Sequence, residues 1–235
     1  MARYEAVEIM TFKERHNRFV ATCTTPSLED VTVHVKNTGR CKELLIPGVC
    51  VAVNYQDKPT RKTKYDLVAV KKEEAWFNID SQVPNDLVEE GIEQNSIKFD
   101  ILKGNIQRVR REYTYKDSRF DFFIETDQEE KLLVEVKGMT LEHERVGSFP
   151  DAPSLRGLKH VETLIEAQEA GFLVGVIFVA QFEDILYGTI NGDMQEALED
   201  AFRKGIKSGL SVQVYNCDVT PSVISIKDKK PFKLR

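Results

Sequence analysis

Residues 172–181, FLVGVIFVAQ, form an apolar run without period-two alternation. Such a run is expected of a strand covered on both faces, so it must lie inside a sheet with further layers on either side. Its neighbours can supply those layers. Before it, PSLRGLKHVETLIEAQEAG repeats apolar residues at helical spacing and stops at Gly171. After it, DMQEALEDAFRKGIKSG reads as a second helix, and SVQVYNCDV and SVISIKD as closing strands. Three strands, RREYTY, SRFDFFIE and KLLVEVKG, come earlier still, preceded by a helix, DLVEEGIEQNS, that Asn85 or Asp86 can cap. The order α-βββ-α-β-α-β predicts a mixed sheet flanked by helices over residues 81–235.

Residues 1–80 have a different texture. NRFVATCT, DVTVHVK, VCVAVNYQ and KYDLVAVKK are each of strand length, and most alternate. Turn signals at Asn37-Thr38-Gly39 and Pro47-Gly48 bracket RCKELL, which has room for one or two helical turns. Four or five short strands in this space predict a small OB-like β-barrel, giving an α+β/α/β chain of two domains.

Composition excludes several classes. No apolar run is long enough to span a membrane, and the N-terminus lacks a secretory pattern. The four cysteines, Cys23, Cys41, Cys50 and Cys217, include no CxxC pair and suit reduced thiols in a cytoplasmic protein. A zinc site from the first three with His34 matches no common spacing. The net charge of −5 argues against a uniformly basic nucleic-acid binder, yet two local basic clusters stand out, KPTRKTK at 58–64 and QRVRREYTYKDSR at 107–119. Both read either as solvated loops or as phosphate contacts, the latter through Lys58, Arg61, Lys62, Lys64 and Arg119.

Within LLVEVKG, Glu135 and Lys137 point to the same face of a strand. Asp121 sits fourteen positions upstream in RFDFFIE. Surface ion pairs produce such spacings often. Three features favour a site instead. Asp121 interrupts FDFFI, where a buried unpaired acid would be costly. Glu135 lies inside its strand, and the order of elements brings the two acids together. Asp121, Glu135 and the Val136 carbonyl can then supply oxygens to Mg2+ or Mn2+, with Glu112 as a further acid. Lys137 would stand by the phosphate or the attacking water. In FPDAPSLRGLKH, Arg156, Lys159 and His160 fall at i, i+3 and i+4, on one helix face suited either to solvent or to phosphate, with Asp151 at the preceding junction.

These stretches resemble the sugar fermentation stimulation protein (SfsA) family over nearly the whole chain. The matching segments are NRFVA, VTVHVKNTG, LLIPG, VPNDLVEEGI, SRFDF, VEVKGMTL and SFPDAPSLRGLKH. The resemblance implies an N-terminal OB-like domain, a C-terminal restriction-endonuclease-like domain, DNA binding and a link to sugar (maltose) utilisation. It places the nuclease motif on Asp121, Glu135 and Lys137. Two departures stand out: Val35-Lys36 where the family has Cys-Pro before Asn37, and Gly138 where it has serine.

The expectation is therefore a cytoplasmic DNA-binding protein, with no membrane segment and with dimerisation left open. Its metal site makes it a magnesium-dependent phosphodiesterase. The alternative is a non-catalytic regulator using the same groove. An RNA or single-strand binder of OB type is disfavoured because few aromatic residues interleave with the 58–64 loop.

Overall fold

The computed structural model describes residues 1–37, 39–57 and 59–234. The chain begins with β1 (Ala2–Arg3), then β2 (Val7–Arg15), β3 (Val20–Thr24), β4 (Asp30–Val35), β5 (Cys50–Tyr55), β6 (Tyr65–Lys72) and β7 (Ala75–Asn78). The order β4-β3-β2-β5-β6 closes through a parallel β4–β6 pairing, which makes a five-stranded OB barrel, and β7 extends it as a hairpin on β6. The alternation explains the closure: Met10, Phe12, Val33, Val51 and Leu67 all turn inward. Four of these strands are legible in the sequence. β2, which pairs with both β3 and β5, is the fifth.

The second unit starts with α1 (Val83–Glu93). This helix begins earlier than the Asn85 or Asp86 cap predicts: Gln82 is its N-cap and Pro84 lies in its first turn, where a missing N–H costs nothing. β8 (Ile106–Tyr115), β9 (Ser118–Thr126) and β10 (Lys131–Met139) follow, then the short β11 (Leu141–His143) and β12 (Val146–Phe149). Next come α2 (Leu155–Glu169), β13 (Leu173–Ala180), β14 (Tyr187–Ile190), α3 (Glu196–Lys207), β15 (Ser211–Val219) and β16 (Val223–Lys230). The large sheet runs β1-β16-β15-β13-β10-β9-β8, with β13 parallel to β10 and β15. As the apolar run requires, β13 is central and buried almost throughout. The first strand thus lies in the sheet of the second unit, although the sequence assigns it to the first. The three-stranded sheet β11-β12-β14 is also absent from the sequence reading.

The large sheet is covered on both faces. Phe122, Ile124, Leu132 and Val134 pack with α1 residues Leu87, Val88 and Ile92. Phe123, Leu133, Val176 and Phe178 pack with Leu164 and Ile165 of α2 and Phe202 of α3. That second core continues into the barrel, and Phe77 stacks on Phe182 at 4.6 Å between centroids. Gln181 donates to Asn78 Oδ1 and to the Asp80 carbonyl, at 2.8 and 2.9 Å. The two units therefore share a core, which fixes the geometry of the cleft between them. Among the described residues, no helix is long and apolar enough to cross a membrane.

Candidate functional site

The β9–β10 ladder ends at Val134 and Phe122. The next residue on each strand is an acid, Glu135 on β10 and Asp121 on β9. Beyond the ladder the backbone is free for other partners, and Asp121 takes one: its Oδ2 accepts from the Val136 N–H at 2.7 Å. Its Oδ1 accepts from Asn85 Nδ2 on α1, also at 2.7 Å. An extended residue points its N–H and C=O to the same side, so the Val136 carbonyl also faces β9. Burial, then the nearby Glu135 charge, push the Asp121 carboxyl up to about 6.

Glu135 is 3% exposed. Its Oε1 accepts from Lys137 Nζ at 2.5 Å and from His160 Nδ1 at 2.6 Å. Its Oε2 is buried without a partner. Burial alone would raise this carboxyl, but Lys137 and His160 outweigh that and hold it below the ordinary range. The result is two adjoining acids with opposite shifts, and one buried oxygen that lacks a donor.

Both acids, Val136 and Lys137 line a cleft of about 1320 Å³ between the barrel and the large sheet. From the barrel side come Arg15, Arg18, Arg40 and Lys42. The Arg15 guanidinium donates to the carbonyls of Asn17, Arg18, Asn37, Gly39 and Arg40, and so ties the β2–β3 turn to the 37–40 loop. Asn37, which the sequence marks as a turn signal, donates to the Ile79 carbonyl and accepts from the Gly39 N–H. Asp151 accepts from the Cys41 N–H at 3.0 Å, across the two units. A Cβ on Gly39 would lie 2.6 Å from Asp151 Oδ2, which explains the glycine of that turn. The turn's middle residue, Thr38, lies outside the described residues.

Several expected residues stand elsewhere. Glu112 sits at a positive φ of 57° where the β8–β9 register skips Asp121, and its exposed carboxylate pairs with Arg119 at 2.6 Å. Neither residue lines the cleft, so neither joins the acids. Lys159 turns to Asp117 at 2.6 Å on the exposed side of α2 and does not line the cleft. His160 is not on the exposed face of α2; it is buried against Glu135. Arg156 does line the cleft. In the 58–64 loop, Arg61 is held by Asp66, and Arg61, Lys62 and Lys64 are all absent from the cleft lining. Lys58 lies outside the described residues. By contrast, the side chains of Arg18, Arg40 and Lys42 make no ion pair or hydrogen bond among the described residues. These cations, isolated in the sequence, are gathered only by the fold.

The two departures have local accounts. Gly138 leaves room for Gln181, whose Oε1 would lie 2.4 Å from an added Cβ. Lys36 pairs with the buried Asp80 at 2.6 Å. Among the described residues, no group of three or more His, Cys, Asp or Glu side chains is gathered for a metal. Cys23 and Cys41 are buried thiols, both pushed up to about 12 chiefly by burial, and His34 pairs with Asp66, so the zinc arrangement is not assembled.

An OB barrel joined to a restriction-endonuclease-like sheet, with two acids and a lysine at the junction, defines a nuclease-like two-domain protein. Residues 14–79 match the SfsA N-terminal OB domain, and residues 82–223 match the sugar fermentation stimulation protein RE domain. The chain belongs to the sugar fermentation stimulation protein family. A homolog from Enterococcus mundtii is 49% identical over 98% of this chain and 96% of its own length. One from Clostridium tetani is 44% identical over 92% of each. The SfsA structure from Pyrococcus furiosus, described in complex with Ca2+, shares the fold with a TM-score of 0.87 at 21% identity, covering 98% of this chain and 97% of that one.

Proposed function

We propose that the cleft binds nucleic acid, most readily DNA, and hydrolyses its phosphodiester bonds with a divalent ion, Mg2+ or Mn2+. The observation that carries this reading is the buried, unpartnered Oε2 of Glu135 beside Asp121. A donor-free buried carboxylate oxygen is costly in a finished core and is what a hard cation requires. Asp121, Glu135 and the Val136 carbonyl would hold the ion, with water completing its shell. The Pyrococcus furiosus protein is described in complex with Ca2+, which supports a divalent ion as the kind of ligand. When bound, the ion supplies Lewis acidity and an acidified water.

The chain's own groups do the rest. Arg18, Arg40, Lys42 and Arg156 attract and place phosphates. Lys137 holds Glu135 by one oxygen and sets its ammonium in the cleft, where it offsets charge that builds on the phosphate. Asn85 and the Val136 N–H orient Asp121. A second reading, a DNA-binding regulator without turnover, is favoured by those same bonds, since they satisfy both oxygens of Asp121 without a cation. A cleavage panel of DNA, RNA and hybrid strands, with Mg2+, Mn2+ or a chelator, separates the two. The nuclease reading expects metal-dependent products that Glu135→Ala abolishes. Binding without products in every condition establishes the regulator.

A further inference from the structure

The two banks of the cleft differ in chemistry. On the barrel bank stand the cations Arg18, Arg40 and Lys42, whose side chains make no ion pair among the described residues. The other bank is one continuous stretch, residues 149–157, every one of which lines the cleft. Its exposed apolar residues are Pro153 and Leu155, since Pro150 is buried and Phe149 packs on Phe178, while Asp151 is its acid and Arg156 its only cation. Leu155 is the first residue of α2 after the Ser154 cap and is 81% exposed. One turn further on, Leu158 packs on the core, whereas Leu155 overhangs the cleft and joins no core cluster. The exposed leucine is therefore left over after the helix has met its packing needs.

A duplex presents phosphates along both of its strands, and a groove built for it places cations on both banks. An unpaired strand presents phosphates on one side and the faces of its bases on the other. We infer that the cleft takes an unpaired strand, its phosphates along Arg18, Arg40 and Lys42, with Arg156 at the phosphate by the acids, and its bases against Pro153 and Leu155. This rests on the reading of the cleft as a nucleic-acid site. It concerns a different surface from the 58–64 loop, where few aromatic residues interleave with the basic ones.

The test uses the full-length protein in a chelator, with a labelled oligothymidylate strand and a labelled blunt duplex of equal length. The wild type should bind the strand at least about tenfold more tightly than the duplex. The double variant Pro153→Ser with Leu155→Ser should lose about five- to tenfold on the strand, the scale of one base contact, while duplex affinity stays within about twofold and the thermal midpoint is unchanged. Tighter duplex binding, or strand affinity indifferent to the double variant, overturns the inference. A third protein, with Arg18, Arg40 and Lys42 all changed to alanine, tests the reading beneath it. If that protein binds both probes as the wild type does, the cleft is not the nucleic-acid site and both conclusions fall.

Discussion

His160 Nδ1 donates to Glu135 Oε1 at 2.6 Å, inside the fold. A carboxylate oxygen can only accept, so Nδ1 carries a proton, and Arg156 Nε lies 3.4 Å from the other ring nitrogen. With Oε1 taken by His160 and Lys137, the carboxylate can turn only Oε2 to a cation. Partners that orient a ligating carboxylate are worth about 10–100-fold in metal affinity. His160→Ala should lower Mn2+ affinity by that factor in a calorimetric titration. His160→Asn, whose amide can take the place of Nδ1–H, should recover much of it. Equal affinity in all three proteins would reduce His160 to packing.

Asp121 should make stability depend on pH. Its folded-state value of about 6 lies above the ordinary value of about 4, so the folded form holds the proton more tightly than the unfolded chain. Its contribution is fully present below about pH 4 and is lost as the pH rises through about 6. Asp121→Asn should therefore raise the thermal midpoint of metal-free protein at pH 8, and the gain should shrink towards pH 5. Mn2+ binding to the wild type should strengthen over the same interval, since only the carboxylate is a ligand. A gap that does not vary with pH would contradict this assignment.

Salt dependence should locate the phosphate contacts. Each of Arg18→Ala, Arg40→Ala and Lys42→Ala should reduce the slope of log affinity against log salt by about one unit. Changing Lys62 and Lys64, which stand outside the cleft, should move it less. The reverse pattern would place the nucleic acid on the 58–64 loop.

Gly39→Ala should destabilise the cleft wall. The new Cβ would meet Asp151 Oδ2 at 2.6 Å and Asn37 Oδ1 at 2.8 Å, and both side chains are anchored by hydrogen bonds. Overpacking of this kind costs about 1–3 kcal/mol. Denaturant melts should show that loss together with weaker nucleic-acid binding. An unchanged midpoint would mean that the loop relaxes freely.

The sequence reveals what is periodic. Strand length and, for most, alternation mark β3 to β6, and the unbroken apolar run marks β13, because such patterns follow from which faces are covered. Asp121, Glu135 and Lys137 are legible because acids that interrupt apolar strands are costly without a purpose. Long-range consequences are not legible. β1 has two residues, too few for a pattern, and is a strand only because β16 accepts it. Arg18, Arg40 and Lys42 come from two separate loops, so no run of charge announces them. In the visible basic stretches some members instead pair with acids: Arg61 with Asp66, Arg119 with Glu112, Lys159 with Asp117. His160 shares a sequence motif with Arg156 but is buried, and only the tertiary fold reveals Glu135 as its partner.

The central claim, that this cleft carries metal-dependent phosphodiester hydrolysis, is tested most directly by single-turnover cleavage of a labelled DNA strand with Mn2+ by the wild type and by Lys137→Met. Lysine is not a metal ligand, so the variant should still take up the ion. The account predicts that the wild type cleaves and that the variant does so about a hundredfold more slowly or worse, the scale for losing a positioned charge at the reacting phosphate. Equal rates in the two proteins, or no cleavage by the wild type, would contradict it.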